Sequence, residues 1–162
     1  MLRDLEKKDA GLMLEWMHDP DVTEWMNANF AEKTIEDCEK FIAASTADRT
    51  QIHKAVVDES DQYMGTVSLK NVNYEEGHGE FAITIRKSAM GKGYAITGMR
   101  EIIDYGLKEL GLRQVYWYVN RNNGRAVHFY DKNGFPRVDV IPEVPSDPDK
   151  YLFYAVENTG RA

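Results

Sequence analysis

With one cysteine among 162 residues, the chain has no disulfide framework, because Cys38 has no second thiol to pair with. No apolar run approaches the roughly 18 residues of a membrane span, and the opening residues, with Arg3, Asp4, Glu6, Lys7 and Lys8 among them, lack the apolar core of a secretion signal. A soluble protein of a reducing, cytoplasmic compartment with no membrane partner is therefore expected. Basic residues are also scarce. The 20 Lys and Arg against 27 Asp and Glu leave a net charge of −7, which argues against nucleic acid as a partner. His18, His53, His78 and His128 stand singly, so no metal site is expected. Repeats, low-complexity tracts and linkers are absent, which predicts a single domain over residues 1–162. A chain of this size buries roughly 68–70% of its unfolded surface and needs no staple to fold.

The charge that is present is unevenly placed. Residues 1–40 hold eleven acids against five bases, and residues 86–137 hold ten bases against four acids. Such a division reads either as two solvated faces or as a site with a basic half for an anionic ligand and an acidic half for a cationic one.

Apolar spacing predicts a mixed α/β (α+β) order. A short strand over 2–5 precedes a helix opened by Asp9 and carried by Met13, Leu14 and Met17. Asp19-Pro20 ends it, and Pro20 starts a second helix through Trp25 and Met26. Thr34, with Asp37 three residues on, caps a third helix. Strands follow at 51–58, 62–71 and 80–86, the first two joined at Glu59-Ser60-Asp61. A long helix after Gly93 is carried by Ile96, Met99, Ile103, Leu107 and Leu110 and ends at Gly111. A strand at 114–119, a helix at 124–132 and a strand at 151–157 complete the order.

Strand, then Gly91-Lys92-Gly93, then helix is a recipe for anion binding. Glycines let the main chain come close to a ligand, and the first N–H groups of a helix lie unpaired at the positive end of its dipole. The run lacks the ending of a nucleoside-triphosphate P-loop and the spacing of a dinucleotide fingerprint. By itself it is a phosphate cradle or a plain turn.

A wider match separates the two. Met90-Gly91-Lys92-Gly93-Tyr94-Ala95 resembles the acyl-CoA loop of the GNAT superfamily of N-acetyltransferases, Arg/Gln-x-x-Gly-x-Gly/Ala. Asn123-Gly124-Arg125-Ala126-Val127-His128-Phe129-Tyr130, then Asn133-Gly134-Phe135, resembles that family's late helix and following strand. The likeness also covers Tyr63 to Lys70, where Met64-Gly65 opens a strand, and Leu14-Glu15-Trp16. It implies a mostly antiparallel mixed sheet of about six to seven strands flanked by helices, with a splayed strand pair that holds acyl-CoA. It further implies acetyl-CoA as co-substrate without a metal, and direct transfer to a primary amine of a small molecule, an aminosugar nucleotide or a polyamine. Protein amino termini, as in ribosomal-protein acetyltransferases, are the alternative acceptor. An acyl-CoA-binding module without turnover and a nucleotide-binding regulator are the alternative classes. Dimers are common in the family, so a homodimer is expected.

The resemblance also assigns roles. Ile83, Thr84 and Ile85 would present main-chain groups to the pantetheine arm and the oxyanion, while Met90, Gly91, Lys92, Gly93, Tyr94 and Ala95 would hold phosphate. Asn123 and Ala126 would line the cofactor, although Asn123 also suits an N-cap. Tyr130 would be the acid for the departing thiolate. An amine near pKa 10 needs a base before it attacks. Glu80, at the start of the central strand where several relatives keep a carboxylate, is the first candidate and His78 the second. Tyr118 stands where the ribosomal-protein acetyltransferases carry a later-strand carboxylate and cannot copy it, and a relay of waters is the alternative to any dedicated base. Met90 departs from the Arg or Gln of the pattern, leaving Lys92, Arg121 and Arg125 as sources of charge. Trp16, Met17, Trp25, Met26, Asn27, Asn29 and Phe30 are expected on the acceptor side or in the core, beside acidic Asp19, Asp21 and Glu24. Cys38 is expected to pack.

Overall fold

The computed structural model describes residues 1–26 and 28–159, which leaves Asn27 outside. Strands β1 (Leu2–Asp4), β2 (Ile52–Val57), β3 (Tyr63–Asn73), β4 (His78–Ile85), β5 (Gln114–Asn120), β6 (Arg137–Val138) and β7 (Tyr151–Glu157) join in one sheet, ordered β1-β2-β3-β4-β5-β7-β6. Every neighbouring pair is antiparallel except β4 and β5. Helices α1 (Ala10–Met17), α2 (Pro20–Thr23), α3 (Ile35–Ala44), α4 (Tyr94–Asp104) and α5 (Gly124–Lys132) flank it.

Strand alternation sorts the side chains onto two faces. On one, Val56, Val67, Leu69, Phe81, Ile85, Trp117 and Tyr154 pack with Met99, Ile102 and Ile103 of α4 and Tyr130 of α5. On the other, α1 and α3 cover Ala55, Val57 and Tyr63 with Met13, Trp16, Met17, Cys38 and Ile42. Cys38 is fully buried, its Sγ 3.6 Å from Met17 Sδ, as a packing residue would be. Thr34 and Asp37 form the expected capping box at the start of α3. Further along the same face, Ile141 covers Tyr116 and Ala155.

The departures from the sequence reading are local. The second helix stops at Thr23, because the Met26 N–H reaches back only three residues, to the Thr23 carbonyl. Strand β4 starts two residues early, at His78, where it meets Gln114 of β5. Of the expected row on α4, Met99 and Ile103 are buried and Ile96 is half-buried, while the buried face also takes in Gly98 and Ile102, followed by Gly106. A Cβ on Gly98 would lie 2.7 Å from Val56 Cγ2, so the glycine lets the helix rest on the sheet. After Asp104 the coil widens to a π turn, Tyr105–Glu109, which shifts the phase and leaves Leu107 and Leu110 half-buried.

Two residues fix elements that frame the cleft described next. Gly65 faces Ile85 across the β3–β4 pair, and a Cβ there would fall 2.2 Å from the Thr84 carbonyl oxygen. Gly65→Ala should lower stability by roughly 1–3 kcal/mol, read as a lower urea midpoint at unchanged slope. A midpoint equal to wild type would mean that β3 and β4 do not approach this closely. Asn123 caps α5, its side-chain oxygen accepting from the Ala126 N–H at 3.3 Å. Asn123→Ala should cost about 1 kcal/mol while Asn123→Ser retains most of it, and equal losses would contradict the cap.

Candidate active site

Strands β4 and β5 pair only over His78–Glu80 and Gln114–Tyr116. Beyond that point β4 follows β3 to Ile85, β5 follows β7 to Asn120, and a slot opens between them. The ladder shows which groups line it. The Arg86 N–H donates to the Met64 carbonyl at 2.9 Å, so by alternation Thr84, Ala82 and Glu80 turn their amides toward β3. Ile83 and Ile85 therefore turn theirs toward the slot, where no strand receives them. Of the three strand residues expected there, Thr84 is the correction: its main chain pairs with Thr66, and its side chain projects from the opposite face.

At the mouth of the slot the 90–95 loop leads into α4. Gly91 and Gly93 adopt φ of +76° and +88°, which a side chain would strain, and a Cβ on either would meet nothing within 4 Å. Gly93 is the N-cap of α4 and has no side chain to cap with. The first bond of the helix runs from the Thr97 N–H to the Gly93 carbonyl, so the amides of Tyr94, Ala95 and Ile96 lie ahead of the helical ladder. Main-chain donors, open space and the helix dipole thus come together at one place, as anion binding requires. Lys92 is exposed, while Met90, Tyr94 and Ala95 pack partly against the core. Across the mouth, Ala126 is half-buried and the Asn123 oxygen is engaged by its own helix, which agrees with the N-cap reading and leaves the side-chain NH2 group outside that bond.

Tyr130 stands on the α5 side of the slot, its ring 5.4 Å from Trp117 and 5.1 Å from Tyr154. Among the described residues its hydroxyl has no hydrogen-bond partner. Burial, with a contribution from Tyr154, pushes its phenol above the ordinary tyrosine range. Trp117, whose buried Nε1 also lacks a partner, was missed by the sequence reading, since one aromatic in an apolar strand carries no sign of which ring it stacks on.

The other face of the slot is polar. Ser68, Ala82, Thr84, Glu80, Tyr116 and Tyr118 follow one another across it, between α1 and α3 on one side and the Ile141 segment on the other. Glu80 stands where the two strands part, half-buried, its carboxylate 3.8 Å from Lys70 Nζ. Burial and the Glu80 charge together raise the Tyr118 phenol. His78, expected in an open loop, is instead the first residue of β4, with Nε2 3.1 Å from Glu76 and Nδ1 buried without a partner. Trp16 and Met17 belong to the core, where Trp16 Nε1 donates to the Tyr63 hydroxyl at 2.9 Å. Trp25 is 45% exposed, Met26 and Phe30 are half-buried, Asn29 is exposed, and Asn27 lies outside the described residues. The acidic neighbourhood is partly engaged: Glu15 grips Arg86 through two bonds of 3.0 and 3.1 Å, and Asp21 pairs with Lys87. Two surface grooves of about 470 Å³ lie elsewhere, one along β1 and α4 and one beside β7, and neither includes Glu80, Tyr130 or the 90–95 loop. Among the described residues no cluster of His, Cys, Asp or Glu could hold a metal ion, and no helix is long and apolar enough to cross a membrane.

Known proteins share this fold. Residues 1–136 match the acetyltransferase (GNAT) domain family. The spermidine N(1)-acetyltransferase of Escherichia coli is 31% identical over 140 residues, covering 83% of this chain and 71% of its own. An uncharacterised N-acetyltransferase, p20, of Bacillus licheniformis is 26% identical, covering 86% and 80%. The crystal structure of the Vibrio cholerae spermidine N-acetyltransferase with CoA and spermine superposes with a TM-score of 0.80 at 23% identity, covering 98% of this chain and 95% of that one. The chain belongs to the GNAT family of acetyl-CoA-dependent N-acetyltransferases.

Proposed function

We propose that the protein moves the acetyl group of acetyl-CoA directly to a terminal primary amine of a polyamine, with Glu80 as base, the Ile83 and Ile85 amides as oxyanion donors and Tyr130 as the donor to sulfur. The observation that carries this reading is the slot, whose two faces differ in chemistry. Its α4–α5 face offers the uncapped helix end and Tyr130. Its other face offers Glu80 where the strands part. A thioester entering from the first face meets an amine arriving from the second. The spermidine acetyltransferase at 31% identity supports a polyamine over other small amines.

Glu80 takes one proton from the acceptor ammonium, the freed lone pair attacks the thioester carbon, and the carbonyl oxygen becomes an oxyanion beside the strand amides. The C–S bond then breaks, Tyr130 donates a hydrogen bond to the leaving sulfur, and the second proton on nitrogen completes the thiol. Thiol release from acetyl-CoA with a panel of spermidine, spermine, an aminosugar nucleotide and an amino-terminal peptide tests the acceptor. Turnover confined to the sugar or the peptide would overturn the polyamine assignment, and tight CoA binding without amine-dependent thiol would leave a binding module.

Glu80→Gln should reduce kcat roughly a hundredfold near pH 7 and approach wild type as rising pH deprotonates the amine. A constant ratio across pH would assign the proton to another group. Tyr130→Phe should reduce kcat by at least about tenfold with the KM for acetyl-CoA unchanged, and an unaltered kcat would remove Tyr130 from the chemistry.

A further inference from the structure

Position 90 holds Met where the loop pattern has Arg or Gln, so the loop offers no charged or amide side chain there. Arg125 comes to that place from across the mouth. It sits in the first turn of α5, two residues after the N-cap Asn123, where a cation opposes the dipole of its own helix. Its Nη2 lies 2.9 Å from Met90 Sδ, which holds the guanidinium over the loop that leads into the uncapped end of α4. Nothing acidic answers it. The sequence has no Asp or Glu from Phe81 to Arg100 or from Leu110 to Tyr130, and among the described residues Arg125 forms no ion pair. Two nearby cations are matched, Arg86 by Glu15 and Lys87 by Asp21, and Arg121 turns its Nε to the Asp149 carbonyl at 2.8 Å, whereas Lys92 of the loop, like Arg125, forms no ion pair among the described residues. Two positive helix ends and an unmatched guanidinium meeting at one mouth break the local charge rules without compensation, which is the mark of a site that awaits an anion.

We propose that Arg125, seated on the Met90 thioether, grips the diphosphate of acetyl-CoA and takes over the side-chain role that position 90 has lost. The proposal rests on acetyl-CoA as co-substrate. Arg125→Ala should raise the KM for acetyl-CoA about tenfold or more, the worth of a hydrogen bond between charged groups, with kcat within about twofold of wild type. Acetyl-3′-dephospho-CoA should show the same increase, and acetylpantetheine, which has no diphosphate, should show none. Met90→Arg added to Arg125→Ala should recover most of the loss. Without turnover, the rise in Tm produced by CoA should shrink in Arg125→Ala, while the Tm of the free protein holds or rises because an unfavourable charge has left α5. An unchanged KM, an equal increase with acetylpantetheine, or a difference that vanishes with the dephospho compound would each overturn the assignment. Absence of turnover by the wild-type protein would instead fault the acetyltransferase reading itself.

Discussion

The parting of β4 from β5 is the constraint on which the rest depends. A sheet normally pairs its interior strands along their length, because an unsatisfied buried amide or carbonyl costs roughly 1–3 kcal/mol. Here the pairing stops at Glu80 and Tyr116 and leaves the edge of Ile83 and Ile85 open. Each lip of the slot is anchored elsewhere. Strand β4 is tied to β3 as far as Ile85, with Gly65 allowing close approach, and β5 is tied to β7 along its whole length. The helices respect the same division: α4 rests on β2, β3 and β4, and α5 packs its Tyr130 against Trp117 of β5 and Tyr154 of β7. The slot stays open because β4 and β5 each pair along their free lengths with a different neighbour, while a shared core below, where the Phe81 ring lies 5.3 Å from Trp117, joins the two sides.

That logic separates what the sequence makes legible from what it hides. Local signals were readable: the capping box at Thr34 and Asp37, the helix at 124–132, the strand at 151–157 and the glycine loop all depend on residues close in the chain. Pairing partners were not. Alternation of Phe81, Ile83 and Ile85 marks a strand without telling which edge is empty, so Thr84 was grouped with its neighbours although its main chain is engaged. The seat of α4 was hidden for another reason: Gly98 and Gly106 carry no apolar side chain to count, yet they make the closest approach to the sheet. Trp16 illustrates the same ambiguity in an aromatic. Its indole reaches the Tyr63 hydroxyl, which itself bonds Thr66, so a residue that suited an acceptor pocket is committed to a buried chain of hydrogen bonds.

Charge follows the two faces more closely than the totals suggest. The acidic amino-terminal segment does not simply face solvent; Glu15 and Asp21 reach the chain that follows β4 and neutralise Arg86 and Lys87. Those pairs are exposed or half-exposed, so their part in overall stability is small. Their effect is on position: they fasten α1 and α2 beside the end of the strand that lines the slot. Lys92 and Arg125, nearer the glycine loop, form no such pair among the described residues.

The energetics of the leaving group bear on what Tyr130 can do. A free thiol titrates near 8.5 and an unperturbed phenol near 10, and burial moves the Tyr130 phenol further up. Complete transfer of its proton to a thiolate is therefore uphill, and the gap widens with the burial that holds the ring against Trp117 and Tyr154. A donor in that condition is still effective as a hydrogen bond, because it meets the charge as it grows on sulfur and never needs to hold the negative charge itself. In the proposed mechanism the proton that stays on sulfur would come from the acylated nitrogen, whose acidity rises sharply once it carries the acetyl group. Tyr130 would then lower the barrier to C–S cleavage without titrating, as a raised phenol against an aromatic wall suits it to do.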